Sequence, residues 1–323
     1  MRNLCPELRL PAVLLIAVSV TISVLLSTPL EGQNGTIEAQ APLCGSNPTG
    51  SDLTVDTSDG TVWTIDSTSG KICVFNTNQS PPSMALANMI DHPVGPAVAP
   101  SFQPQCTGLA YCPTTDSFWI LNSTAFELVQ MDRLGAQIGV PLPFSINGSA
   151  SSLTCDLDSG NLWLLDTVNQ LAVEIDPNTG VVVSTLTIPG DVIRYGVGIA
   201  YRMVGGEGFL DFTYGDVFDA TVSELLTLSI STGQLECTNV PLPVDANEPI
   251  LGIARQDNSS YVYALTTENL LRIDGTQPSV TPPADLFCST DGEGSSTLSW
   301  RNCGPGAGGF YNTIRISRNG AIV

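Results

Sequence analysis

Apolar and polar positions in this chain follow one spaced pattern five times. An aliphatic residue is followed ten positions later by an aromatic: Leu53 with Trp63, Leu109 with Trp119, Leu153 with Trp163, Ile199 with Phe209, and Ile253 with Tyr263. The anchors recur every 44 to 56 residues. Between the two residues of each copy lies a short apolar run, a stretch rich in Asp, Gly, Ser and Asn, and a second apolar run, which reads as strand, tight turn, strand. A third run follows in every copy, at KICVF, LVQMD, LAVEID, LLTLSI and LLRID. A fourth, QIGVPLP, VVVSTLTIPG or LECTNVPLP, follows in three of them. Four antiparallel strands recurring at this period are the signature of propeller blades.

The fifth copy stops at Asp274 after three strands, which would leave an open edge. Closed propellers avoid such an edge by taking a strand from the other end of the chain, and residues 35–43 are placed to supply it. The fold expected is therefore all-β: a five-bladed propeller over residues 42–277. A sandwich of equal strand count would give no reason for the ten-residue spacing to recur. Trp63, Trp119, Trp163, Phe209 and Tyr263 are expected at equivalent places on the second strand of successive blades.

Composition changes character at both ends. Arg2 and Arg9 precede an uncharged apolar stretch over residues 10–30, so residues 1–41 read as a signal peptide or an N-terminal membrane anchor. Residues 278–284 form a Pro-rich linker. Residues 285–323 carry three further strand patterns that resemble the opening of a fibronectin type III domain, with Trp300 as its core aromatic. A complete module of that kind needs roughly 90 to 100 residues, so the segment is an incomplete β-sandwich.

Nine cysteines include Cys5 in the leader and eight beyond it, an even number that suits an oxidising compartment. Their pairing is open apart from Cys288 with Cys303, the two cysteines of the C-terminal module, which are expected to be bonded. Cys112 and Cys155 are counted among the bonded cysteines, with buried free thiols as the alternative because both fall in packed first strands. Charge is lopsided, with 31 acidic against 11 basic side chains and a net charge of −20. Such a surface argues against nucleic acid and against membrane docking other than through the N-terminal segment. The protein is expected to be secreted or at the cell surface, and monomeric.

The LTxDxxDGxxW and GIAY openings, with Asp132, Asp176 and Asp274 ending the third strands, resemble secreted propellers of the NHL and virginiamycin-B-lyase-like superfamily. That resemblance covers residues 42–277 and implies a fold whose members include lyases, lactonases and binding scaffolds. Lyase-type members rely on a His base, whereas this chain has only His92, in a loop where a solvated role is the simpler expectation. Lactonase-type members hold a divalent ion in the channel. Here only Asp56 and Asp156 stand at suitable first-strand positions, so a Ca2+ site on those two is the alternative to plain turn capping. Neither a nucleophile motif nor a phosphate-cradling loop occurs.

The expectation is thus a non-catalytic scaffold, with no cofactor, that recognises an extracellular protein or carbohydrate. The contact elements expected are two long insertions, residues 77–105 and 205–223. In the second, Phe212, Tyr214, Asp216 and Phe218 suit a sugar or a cationic peptide. A metal-dependent lactonase or lyase acting in the central channel is the alternative.

Overall fold

The computed structural model describes residues 36–44, 50–66, 69–80, 82–95, 106–188, 198–214, 224–242, 250–255 and 261–274, together with three strands beyond residue 283. Asn34–Gln277 form one compact unit. Within it β1 (Thr36–Pro42) is followed by the first blade, β2 (Gly50–Val55), β3 (Val62–Asp66), β4 (Lys71–Gln79) and β5 (Pro82–Asp91). The second is β6 (Cys106–Cys112), β7 (Ser117–Asn122), β8 (Glu127–Met131) and β9 (Gln137–Pro143). The third is β10 (Ala150–Cys155), β11 (Leu162–Asp166), β12 (Leu171–Ile175) and β13 (Val182–Thr187). The fourth is β14 (Ile199–Val204), β15 (Glu207–Tyr214), β16 (Glu224–Ser229) and β17 (Leu235–Pro241), and the fifth holds β18 (Gly252–Arg255), β19 (Tyr261–Leu265) and β20 (Asn269–Asp274). Each blade is an antiparallel meander, and the inner strands β2, β6, β10, β14 and β18 neighbour one another in sequence order, with β18 returning to β2. This is the five-bladed propeller that the spacing predicts.

The fifth blade is completed by β1, which pairs antiparallel with β20 from Thr36 opposite Asp274 to Pro42 opposite Asn269. Two further bonds tie this strand to blade one. Cys44, just after β1, is joined to Cys73 of β4. Arg272 of β20 is fully buried, pairs with Glu38 of β1 at 3.1 Å, donates to the carbonyl of Asn78 on β4, and lies over the Tyr261 ring. A buried guanidinium needs a counter-charge, and closure supplies the Glu38 carboxylate together with the Asn78 carbonyl, although Nε has no hydrogen-bond partner among the described residues.

Packing between blades explains the repeating aromatic. Side chains on one face of each second strand point to the next blade, and the largest of them fills the interblade core. Trp63 stacks on Phe118 of blade two at 4.0 Å between ring centroids. The register shows the equivalence: Thr54 opposes Trp63, Ala110 opposes Trp119, Thr154 opposes Trp163, and Ala254 opposes Tyr263. Blade four departs from it. Phe209 opposes Arg202, and the place held elsewhere by the aromatic, opposite Ala200, is occupied by Asp211. The cause is the turn. Val204 opposes Glu207 across Gly205 and Gly206, both at positive φ, which makes a two-residue hairpin with strands running further out than in the other blades.

The two segments expected as insertions contain strand. Residues 82–91 are β5, the fourth strand of blade one, paired along its length with β4, and residues 207–214 are β15. Pro81 and Pro82 mask the β5 pattern in sequence, because a proline pair reads as loop while one proline at the head of an edge strand costs no ladder bond.

The chain beyond Pro278 belongs to another unit. There β21 (Ala284–Thr290), β22 (Ser295–Asn302) and β23 (Phe310–Ser317) form a three-stranded antiparallel sheet in which Cys288 opposes Leu298 and Trp300 opposes Asn312. Cys303, the expected partner of Cys288, lies outside the described residues, as do residues 1–35 and 278–283. Residues 36–41, expected as the end of the leader, are instead part of β1, because the open edge of β20 takes them up as its partner strand.

Candidate functional site

The residue before each anchor sets the axis of the ring: Asp52, Gly108, Ser152, Gly198 and Gly252. Space dictates these choices. A Cβ on Gly198 would stand 2.6 Å from the nitrogen of Ile253, and one on Gly108 would stand 2.8 Å from the Cβ of Leu153. Asp52 is the one charged member, and it joins the blades. Its Oδ2 accepts from Leu109 N at 3.0 Å, from Leu153 N at 3.1 Å and from Ser152 Oγ at 2.8 Å. Ser152 Oγ in turn accepts from Ile199 N at 3.2 Å. Asp52 Oδ1 is buried without a hydrogen-bond partner among the described residues. Burial pushes this carboxyl well above the usual range, against the opposing pull of the Leu109, Ser152 and Leu153 donors.

Beyond the hub, toward the hairpins that join first and second strands, the channel opens into a small funnel of about 30 Å3, lined among others by Thr54, Thr57, Tyr111, Thr154, Tyr201 and Arg255. Many of its polar groups are already engaged. Thr54 Oγ1 accepts from Tyr111 N at 3.0 Å, and Thr154 Oγ1 accepts from Tyr201 N at 3.1 Å. At the rim, Arg133 from the β8–β9 turn reaches back to blade one. It pairs with Asp56, meets Asp116 at 2.8 Å, and donates to Ser58 Oγ at 2.7 Å and to the Tyr111 hydroxyl at 3.2 Å. Tyr111 itself donates to Asp116 at 2.9 Å.

Asp56 and Asp156 are therefore not equivalent. Asp56 is fully buried, with Oδ1 accepting from Ser58 N at 2.9 Å and Ser58 Oγ at 2.7 Å, and with Oδ2 held by Arg133. Asp156 caps its own turn, its Oδ1 accepting from Asp158 N at 2.8 Å and Ser159 N at 3.2 Å. Gly60 and Gly160 follow at φ +77° and +76°, so both hairpins are built by Asx capping and a left-handed glycine. The same device closes the third-strand turns through Asp132 and Asp176.

Opposite the Arg133 network, between blades four and five, lies a second charged group that sequence reasoning missed. Asp211 is fully buried and takes both Arg202, at 3.0 Å, and Arg255 on its Oδ2, while Oδ1 accepts from Thr227 Oγ1 at 2.5 Å. Burial works to raise the Asp211 pKa, and the Arg255 and Arg202 guanidiniums outweigh it, holding the carboxyl below the ordinary range. Arg202 also lies over the Phe209 ring, 4.8 Å from its centroid. The signal was available in Gly205-Gly206, which shifts the register by two and brings Asp211 into the aromatic's place.

Of the remaining candidates, Phe212 lies in the interior, 1% exposed, in the cluster that holds Trp163 and Tyr201. Tyr214 ends β15, and Asp216 and Phe218 lie outside the described residues. His92 corrects the expectation of a solvated loop residue: it is 3% exposed, and burial lowers its pKa to about 4, against the nearby Asp66 and Asp91 carboxylates. Its backbone is held to the β3–β4 turn by His92 N donating to Gly70 O at 3.2 Å. Cys112 and Cys155 are bonded to each other, stapling blade two to blade three, so neither is a free thiol.

No protein-family model matches the chain, and no curated protein matches it in sequence. Solved structures resemble it in shape. Hydrazine synthase of Kuenenia stuttgartiensis aligns over 85% of this chain and 65% of its own, at 11% identity and a TM-score of 0.39. Glutaminyl cyclase of Myxococcus xanthus aligns over 73% and 95%, at 13% identity and a TM-score of 0.45. A streptogramin B lyase aligns over 72% and 96%, at 9% identity and a TM-score of 0.41. The chain is a five-bladed propeller by its own sheets.

Proposed function

We propose that the propeller is a secreted or surface-held, non-catalytic scaffold that recognises an extracellular protein or carbohydrate through the face carrying the funnel. What supports this reading is the way the reactive groups at and around the funnel are committed. Asp56 is taken by Arg133, Asp156 by its own turn, and Tyr111 by Asp116 and Arg133. Nucleophilic hydrolysis requires a base, a nucleophile and an oxyanion donor within reach of one another, and these side chains serve each other instead. His92 sits neutral in a buried loop after β5 and is not among the groups that line the funnel. Two disulfides fit an oxidising compartment and, with the apolar leader, support export.

The metal-dependent lactonase reading would need the buried Asp56 carboxylate to leave its ion pair with the partly exposed Arg133. The test is binding of immobilised oligosaccharides and extracellular proteins to the full chain and to Thr57→Arg, which fills the funnel from a partly exposed position. Binding lost in Thr57→Arg with the fold intact is the expected result. Binding indifferent to that substitution removes the funnel from the account.

A further inference from the structure

We infer that the seam between blades four and five is a binding site for a carboxylated sugar, a hexuronate. This inference rests on the scaffold reading above and narrows its ligand. Four of the five blades fill the interblade core with an aromatic from the second strand, whereas blade four places a carboxylate there and answers it with two guanidiniums. The count does not balance. Arg202 and Arg255 share one oxygen of Asp211, leaving one positive charge in excess among the described residues. Leaving a charge uncompensated away from bulk water is costly, so a site of this kind is arranged for an anion that arrives.

Access and chemistry agree. Asp211 is fully buried, but the side chains of Arg202 and Arg255 remain 20% and 16% exposed, and Arg255 lines the funnel. In a protein of net charge −20, two guanidiniums on one carboxylate, one of them lining the channel, are a local reversal of sign. A guanidinium presents a planar fork of donors that matches a carboxylate. The funnel, with a volume of about 30 Å3, has room for a small polar head such as a carboxylate. Thr54 and Thr154 each accept a backbone N–H and keep their own O–H to donate. A wall of donors beside a guanidinium calls for an acceptor-rich ligand, which a uronate is with its ring oxygen, hydroxyls and carboxylate.

The experiment is calorimetric titration of the full chain with glucuronate, glucose, phosphate and a short peptide bearing a free C-terminus, all at matched ionic strength. Glucuronate should bind, with glucose and phosphate weaker by about tenfold or more, as loss of a charge-assisted pair implies. Arg202→Gln, at the more exposed of the two guanidiniums, should weaken glucuronate by a similar factor. Asp211→Asn removes the internal competitor and should tighten it about tenfold, so a gain is read as well as a loss. Equal binding of glucose and glucuronate, preference for phosphate or the peptide, or indifference to both substitutions would overturn the inference. Capture of another ligand by the funnel face without dependence on Arg202 would leave the scaffold reading standing while this one falls. Turnover of glucuronate conjugates would do the reverse.

Discussion

Asp52 of blade one and Ser152 of blade three are joined across the axis of the ring, Ser152 Oγ donating to Asp52 Oδ2 at 2.8 Å. With Leu109 N and Leu153 N on the same oxygen, and Ile199 N on Ser152, one carboxylate and one hydroxyl tie blades one to four together. Replacing Asp52 by Ala would strand buried donors whose desolvation costs about 1–3 kcal/mol each, and should destabilise the propeller by more than about 3 kcal/mol in denaturant melts.

The same carboxyl gives a pH dependence of definite sign. Burial raises its folded pKa above the unfolded value, so its contribution is fully present below the ordinary carboxylate range and is lost as pH rises through the raised value. Asp52→Asn keeps an acceptor toward the three donors and cannot ionise. Stability of Asp52→Asn should therefore fall less than wild type as pH rises from about 4 toward neutrality. A variant curve parallel to that of wild type would show that Asp52 is not the group responsible.

His92 acts at the acid side. Its folded pKa, about 4, lies below the unfolded 6.5, so the unfolded chain takes up the proton first. Stability is undiminished above about pH 6.5 and declines as pH falls toward 4, by roughly 3 kcal/mol in full. His92→Leu should flatten this limb and leave the melting temperature at pH 8 little changed. A limb of unchanged slope in the variant would contradict the assignment.

Ring closure makes a further prediction. Cys44 and Cys73 stand 29 residues apart in sequence, and Cys112 and Cys155 stand 43 apart. Chain entropy alone assigns such links about 3–4 kcal/mol each. Cys44→Ser should open the β1 end, seen as early amide exchange in β1 and β20, whereas Cys155→Ser should loosen the boundary between blades two and three. Uniform loosening in both variants would mean that the links do not act locally.

How much of this was legible beforehand follows from the range of each interaction. Blades and their closure were legible because a strand pattern with period two and a missing edge are local facts, as the pairing of Thr36 with Asp274 bears out. Phe209 was misplaced because the ten-residue spacing presumes a constant turn, and Gly205-Gly206 makes a shorter one. The β5 strand hid behind two prolines. The Asp52 hub, spanning 57 to 101 residues in sequence, exists only once the ring has closed, and no spacing announces it, whereas Gly205-Gly206 signals the place of Asp211 but not its Arg255 partner from the next blade. Turn capping by Asp56 and Asp156 was legible as one of two readings. Arg133, the residue that engages Asp56, comes from another blade and could not be foreseen.

The scaffold account meets its most direct test in a rate measurement: hydrolysis of a panel of lactones by the purified full chain, with added Ca2+ and with chelator. Because Asp56 is held by Arg133 and Asp156 by its own turn, rates should equal the protein-free blank under both conditions and be the same for wild type and Asp156→Ala. A Ca2+-dependent turnover abolished by Asp156→Ala would contradict the account and establish the propeller as a metal-dependent lactonase.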